Sequence, residues 1–210
     1  MGSELVAVCF ALGTGARVDW RSVPSTSTQV TSCGRWDPLT GLANRTLFFD
    51  RAERALARLT RRKGAIFVVA FIDLDDFKDV NDTLGHARGD QLLMLVGERL
   101  RAAVRPSDTV ARFGGDEFAL LIEELESDDE AFAAAERITR SLEPPFELTG
   151  QSVSISASIG VSVRSATGAD VGELVRQADA AMYAAKRTGK GRAVLFDPSV
   201  PDDFVGRSGV

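Results

Sequence analysis

The heptapeptide Arg112-Phe113-Gly114-Gly115-Asp116-Glu117-Phe118 sets two adjacent carboxylates directly after a glycine pair, between the apolar runs 109–111 and 118–122. Glycine tolerates the positive φ that tight turns demand, so the pattern predicts a β-hairpin turning at Gly114-Gly115. Two residues without side chains also let a ligand approach the backbone. A second acidic group, Asp73-Leu74-Asp75-Asp76-Phe77-Lys78, follows the continuous, β-branched-rich run 65–72, which reads as a buried central strand with Asp73 the first residue beyond it. If the two strands are neighbours, Asp73, Asp116 and Glu117 converge at one edge of a sheet. Hard oxygen ligands in that number suit Mg²⁺ or Mn²⁺. A site of this kind without His or Cys points to nucleotide phosphoryl chemistry, in which two metals clamp an in-line displacement. Lys78, Lys186 and Lys190 are cations able to offset a triphosphate. The N–H groups of Asp75 to Phe77, at a predicted helix start, suit a phosphate. The competing reading of Asp75 and Asp76 is as helix-start acids complementing the dipole. Asn81 and Asp90 are available for a base edge, and their donor and acceptor pattern fits guanine.

The elements around these residues follow from spacing. Residues 1–36 show no sustained periodicity and are expected to be disordered or a linker remnant, with 22–32 rich in Ser, Thr and Pro. Asn44 is the expected N-cap of a helix over 45–62 that Gly64 ends. Residues 79–89 form a polar stretch, after which Leu92, Leu93, Val96, Leu100 and Val104 mark an amphipathic helix closed by Pro106. After the glycine hairpin, 123–130 reads as exposed and acidic. Phe132, Ala135, Ile138 and Leu142 give a further helical stripe, ended by Pro144-Pro145. Residues 146–148 and 153–161 flank Gly150 as a second hairpin. The helix over 170–186 is the best patterned, with Lys186, Arg187 and Lys190 at its C-terminal end. Residues 194–196 form a last short strand, and 198–210 a loose tail. Two hairpins interleaved with helices predict an α+β fold, a mostly antiparallel central sheet covered by helices, rather than a doubly wound one.

Composition bounds the function. The chain has 210 residues, 44% of them hydrophobic, and a net charge of −5. There is no global basic field for nucleic acid or an anionic membrane. The longest apolar runs are too short to span a bilayer, and residues 5–12 lack the flanks of a signal peptide. The expected location is the cytoplasm. Both cysteines, Cys9 and Cys33, lie in the N-terminal segment, so no disulfide staples the core.

Five ordered motifs together resemble the GGDEF-domain diguanylate cyclases. They are the lead-in 37–45 (Asp-Pro-Leu-Thr-Gly-Leu-Ala-Asn-Arg), the segment 71–82, its continuation Gly85-His86 and Gly89-Asp90, the signature 114–118, and Ala178-Asp179-Ala180-Ala181-Met182-Tyr183-Ala184-Ala185-Lys186. The resemblance covers roughly residues 37–197. It implies a sheet like that of nucleotidyl cyclase and polymerase palm domains, and condensation of two GTP into cyclic di-GMP and two pyrophosphates by a homodimer of facing protomers. It implies that Asp73, the Leu74 carbonyl, Asp116 and Glu117 hold the metal, that Asp116 is the base and that Lys78 stabilises the transition state. Asn81 and Asp90 would read guanine, with His86, Phe77, Gly114, Gly115, Lys186 and Lys190 at the substrate. Arg105-Pro106-Ser107-Asp108 stands where the family carries its RxxD product-inhibition site. Two departures are Leu84, in place of an aromatic, and Lys190-Gly191, in place of Arg-Asn. The alternatives are a non-catalytic relative that binds GTP or cyclic di-GMP, and an unrelated metal-dependent nucleotide enzyme.

Overall fold

The computed structural model of the chain describes residues 34–59, 66–125, 127–165 and 170–198. The linker expected at the N-terminus, the helix stop at Gly64 and the C-terminal tail lie outside these residues, apart from 34–36 and Pro198. In chain order the elements are β1 (Ala43–Asn44), α1 (Arg45–Leu59), β2 (Ile66–Leu74), α2 (Phe77–Leu84), α3 (His86–Ala103), β3 (Thr109–Gly114) and β4 (Glu117–Leu125). They continue with α4 (Asp128–Leu142), β5 (Phe146–Leu148), β6 (Gln151–Val153), β7 (Ala157–Ser165), α5 (Val171–Arg187) and β8 (Ala193–Leu195).

The central sheet has the order β1-β3-β4-β2-β7-β8, with β2 in the middle, antiparallel to both neighbours; only the outermost pairs are parallel. Both faces of β2 are covered, which explains its unbroken apolar run. Val68, Ala70, Ile72 and Leu74 pack against α3 and α4, including Leu92, Val96, Leu100 and Ile138. Phe67, Val69 and Phe71 point the other way, toward Phe48 and Ala52 of α1 and Leu174, Ala178 and Met182 of α5. The predicted α+β architecture is the observed one.

Several boundaries differ from the sequence reading. Strand β2 continues through Asp73 and Leu74, because β4 and β7 both extend far enough to pair with them. The hairpin turns at Gly115-Asp116, one residue later than predicted: Gly114 pairs with Glu117 after an irregularity at Phe113. Residues 123–125 belong to β4, and Leu125 is buried rather than part of an exposed acidic loop. The polar stretch 79–89 is helical, split by Gly85 at φ 84° into α2 and α3. On α4 the buried stripe is Ala131, Ala134, Ala135, Ile138 and Leu142, and Phe132, one residue out of phase, is 44% exposed. The second hairpin is a small sheet of β5 and β6 alone; the chain then leaves it and β7 joins the central sheet. Asn44 caps α1 as expected, accepting from the Leu47 N–H at 3.0 Å.

Helix α5 lies against β7 at a distance set by Gly160. A Cβ there would stand 1.9 Å from the Ala178 carbonyl oxygen and 2.1 Å from the Met182 nitrogen, both backbone atoms of the helix. Gly160→Ala must push the helix off the sheet. The expected loss is ~3 kcal/mol or more, as for an overpacked core, read as a lowered midpoint in chemical denaturation.

Candidate active site

The antiparallel register of β2 and β4 sets Asp73 directly opposite Glu117. Both follow the odd-numbered face of their strands, the face covered by α5. The Leu74 N–H donates to the Asp116 carbonyl oxygen at 3.3 Å, tying the signature turn to the end of β2. Asp73, Leu74, Asp116 and Glu117 are thus brought to one sheet end; the convergence of the three acids, which the sequence made conditional on neighbouring strands, follows from the β2–β4 pairing.

This cluster carries excess negative charge. Burial raises Asp73 above the usual carboxylate range; the Lys186 hydrogen bond opposes the rise, and Asp116 and Asp75 add to it. Burial likewise raises Glu117, with Asp73, Asp179 and Asp116 pushing the same way. Lys186 Nζ stands 2.7 Å from Asp73 Oδ1 and is the cation nearest the cluster. Among the described residues no three Asp, Glu, His or Cys groups close into a metal cage as arranged. The donor chemistry nevertheless fits a hard divalent cation: acidic oxygens on adjacent strands, undercompensated by one lysine. Asp179, on α5, is a further half-buried acid whose proton affinity burial raises and Lys186 lowers.

The other expected residues divide. Asn81 and Gly89 are in close contact across the α2–α3 junction: a Cβ on Gly89 would stand 1.9 Å from Asn81 Oδ1. Asp90 and His86 are exposed on the adjoining turns of α3. Phe77 is 8% exposed and packs in the core, so only its backbone can face a substrate. The expected phosphate cradle is narrower than predicted, because the Asp75 N–H already donates to the Ser156 carbonyl at 2.9 Å. Lys78 is exposed on the first turn of α2. Lys190 reaches Asp76, Nζ to Oδ1 at 2.6 Å. Arg105 and Asp108 lie elsewhere, at the turn between α3 and β3. Asp108 is buried and structural: its Oδ2 accepts from the Arg105 N–H at 2.9 Å and its N–H donates back to the Arg105 carbonyl.

Two residues escaped the sequence reading. The Arg112 guanidinium donates to the Gly115 carbonyl at 2.8 and 3.0 Å and to both oxygens of Asp37 at 3.2 Å. It therefore holds the signature turn against the lead-in loop. Burial alone would raise Asp37, but the Thr40 hydrogen bonds and Arg112 keep its carboxyl below the usual range. The only local signal was Arg112's place just before the signature; its partner is 75 residues away.

A palm-like sheet carrying acids at the end of its central strand and on the adjoining hairpin defines a nucleotidyl-cyclase-like domain. The family model described as "Diguanylate cyclase, GGDEF domain" matches residues 35–192. The chain is 46% identical over 164 residues to MucR of Pseudomonas aeruginosa, a bifunctional diguanylate cyclase/cyclic di-GMP phosphodiesterase, covering 78% of this chain and 24% of MucR. It is 42% identical over 168 residues to the diguanylate cyclase TpbB of the same species, of which it spans 38%. The solved GGDEF domain of TpbB superimposes with a TM-score of 0.74 at 41% identity, over 77% of this chain and 94% of that one. The coiled coil and GGDEF domain of DgcB from Caulobacter crescentus, solved in complex with c-di-GMP, gives 0.71 at 32% identity, over 80% and 88%. The chain belongs to the GGDEF diguanylate cyclase family.

The raised acids give a prediction of sign. A carboxyl held above its unfolded value binds its proton more readily in the folded state, so its cost to stability is absent below the unfolded range and full above the folded one. Glu117→Gln removes that cost. Its melting temperature should exceed the parent's by a few degrees at pH 7, and the difference should vanish on acidification to about pH 4, the unfolded glutamate range. Equal differences at both pH values in scanning calorimetry would contradict this account of burial reinforced by neighbouring acids.

Proposed function

We propose that this chain is a diguanylate cyclase, condensing two GTP into cyclic di-GMP and two pyrophosphates. The observation that carries the reading is the register placing Asp73 opposite Glu117, with Asp116 on the adjoining turn. Mg²⁺ or Mn²⁺, held by Asp73, the Leu74 carbonyl, Asp116 and Glu117, would supply Lewis-acid polarisation of the α-phosphate and charge neutralisation. Each condensation forms one 3′–5′ phosphodiester bond as the α–β phosphoanhydride breaks. The proton of the attacking 3′-hydroxyl goes to Asp116, and the electron pair leaves with pyrophosphate.

The remaining residues bind and orient. The bare backbone at Gly114-Gly115 admits the triphosphate closely. Lys186 and Lys190, now paired with Asp73 and Asp76, exchange those carboxylates for phosphate oxygens. Lys78 meets charge developing on the transferring group. Asn81 and Asp90 read the guanine edge, His86 contacts the substrate beside them, and Phe77 offers its backbone N–H. One GTP per protomer requires two protomers face to face, so the working form is a homodimer. Residues 37–197 are the catalytic unit, and the protein works in the cytoplasm. No helix among the described residues is long and apolar enough to cross a membrane.

Arg105 is read as the product-inhibition residue, its exposed guanidinium meeting guanine or phosphate. Asp108 supports it by holding the turn, and its own carboxylate is largely taken up by backbone N–H groups.

Two experiments test these readings. Purified protein with GTP and Mg²⁺ should yield cyclic di-GMP by chromatography, Asp116→Ala should lose activity at least 100-fold, and specific activity should rise with protein concentration. GTP left unreacted at high protein concentration, while cyclic di-GMP binds, would make the chain a receptor instead. Separately, Arg105→Ala should relieve product inhibition without changing the melting temperature. Asp108→Ala should relieve it and also cost ~1–2 kcal/mol of stability, as for a lost side-chain cap.

A further inference from the structure

Asp75 lies between the metal-site acid Asp73 and the lysine-paired Asp76, yet it does neither job. Its carboxylate is buried, at 5% exposure. Oδ1 accepts from Ser158 Oγ at 2.7 Å; Oδ2 accepts from Ser156 Oγ at 2.7 Å and from the Gly191 N–H at 2.9 Å. Its own N–H donates to the Ser156 carbonyl at 2.9 Å. It does not cap α2 either: the N-cap is Asp76, which makes no side-chain cap bond.

These bonds join three stretches distant in sequence: the end of β2, the start of β7, and the loop after α5. That loop is an unusual piece of backbone. Gly189, Lys190 and Gly191 have φ of 128°, 57° and 57°, and Lys190 is one of three non-glycine residues with positive φ among the described residues. The helix end contributes one constraint, the Lys190 N–H donating to the Ala185 carbonyl at 3.1 Å. On the far side the Ile159 N–H donates to the Arg192 carbonyl at 2.9 Å and Arg192 Nε donates to the Lys190 carbonyl at 3.2 Å, while Asp75 takes the Gly191 N–H itself, the residue next to Lys190. The Lys186–Asp73 and Lys190–Asp76 pairs also hold the loop near the acids, but a triphosphate competes for both lysines. The neutral donors on Asp75 have no such competitor.

We infer that Asp75 is a positioning residue for GTP: its buried carboxylate, clamped by Ser156, Ser158 and the Gly191 N–H, fixes the loop that carries Lys190 over the triphosphate when the lysines leave their carboxylate partners. The inference rests on the cyclase reading and adds to it a residue that touches neither metal nor substrate. Asparagine at this position keeps the size but presents an amide NH₂ to one set of donors. The Ser hydroxyls can rotate to accept from it; the Gly191 N–H cannot.

The test is a four-protein cycle on the full chain: parent, Asp75→Asn, Lys190→Ala and the double variant, each titrated with Mg²⁺ and 3′-deoxy-GTP, which lacks the attacking hydroxyl. Asp75→Asn should weaken binding ~10-fold, the size expected for one hydrogen bond to a charged group. The double variant should bind no more weakly than the weaker single, because Asp75 acts through Lys190. With GTP itself, KM should rise while kcat changes less than about two-fold, the pattern of lost ground-state binding. Unchanged binding in Asp75→Asn, or losses that multiply in the double variant, overturns the inference and leaves the cyclase reading standing. A parent that binds no analogue overturns the cyclase reading and the inference with it. Ser156→Ala is the milder variant if Asp75→Asn does not fold: a loss of ~3-fold, again not multiplied by Lys190→Ala, is expected, and no loss overturns the inference.

Discussion

Two acids facing each other across a β-ladder constrain the rest of this domain. Like charges directly opposite on neighbouring strands oppose sheet formation. Burial raises both carboxyls above the usual range, and the Asp73 charge adds to the rise at Glu117. The strand pair forms regardless, because β2 is pinned by an apolar register on both sides. From Val68 to Ile72 every residue is buried and paired with β4 and β7. The core supplies the stability that the sheet end gives up, a local conflict of the kind expected at functional sites.

Helix α5 balances that charge. Gly160 lets its backbone sit almost on the sheet, and the buried pair Ser162 Oγ to Gln177 Oε1, at 2.9 Å, satisfies polar groups in the same interface. Close docking aims the helix so that Lys186, near its C-terminal end, reaches Asp73. The loop that follows folds back through Gly191 onto Asp75. Acids at and just after the end of β2 therefore alternate in partner: a lysine for Asp73, hydroxyl and amide donors for Asp75, a lysine for Asp76. The first and third partners are cations suited to a phosphate, and the second is fixed structure.

A similar division of labour recurs on the other side of the signature turn. Arg112 ties the Gly115 carbonyl to Asp37, and Asp37 is itself organised by Thr40 through bonds of 2.6 and 2.8 Å. The lead-in loop and the hairpin thus share one ion pair, only 13% and 16% exposed at the two side chains. Such a partly buried, multiply bonded pair resists solvent screening better than a surface one. Arg112 thereby joins the lead-in loop to the turn bearing Asp116 through one side chain. At the α3–β3 turn the same logic makes Asp108 the support and leaves Arg105 exposed.

The sequence alone determined the elements whose signals are local. The existence of the central strand, the stripe of α5, the Asn44 cap, a hairpin near the glycine pair and the α+β class all rest on periodicity or on single-residue backbone preferences, which act over a few neighbours. It also marked which acids would gather if their strands were neighbours. What only the tertiary structure decided is where pairing stops and who answers whom. Strand β2 runs through Asp73 because two other strands are long enough to meet it. The stretch 79–89 is helical, with Asn81 lying against the Gly89 backbone at the helix junction, and α4 turns its alanines rather than Phe132 to the core. Asp75 looked like a ligand or a helix-start acid until Ser156, Ser158 and Gly191, 81, 83 and 116 residues away, arrived around it. Arg112 acquired its role from Asp37 in the same way. Hydrogen bonds and ion pairs act over about 3 Å in space whatever their separation along the chain, so partners this remote are settled only when the core has packed.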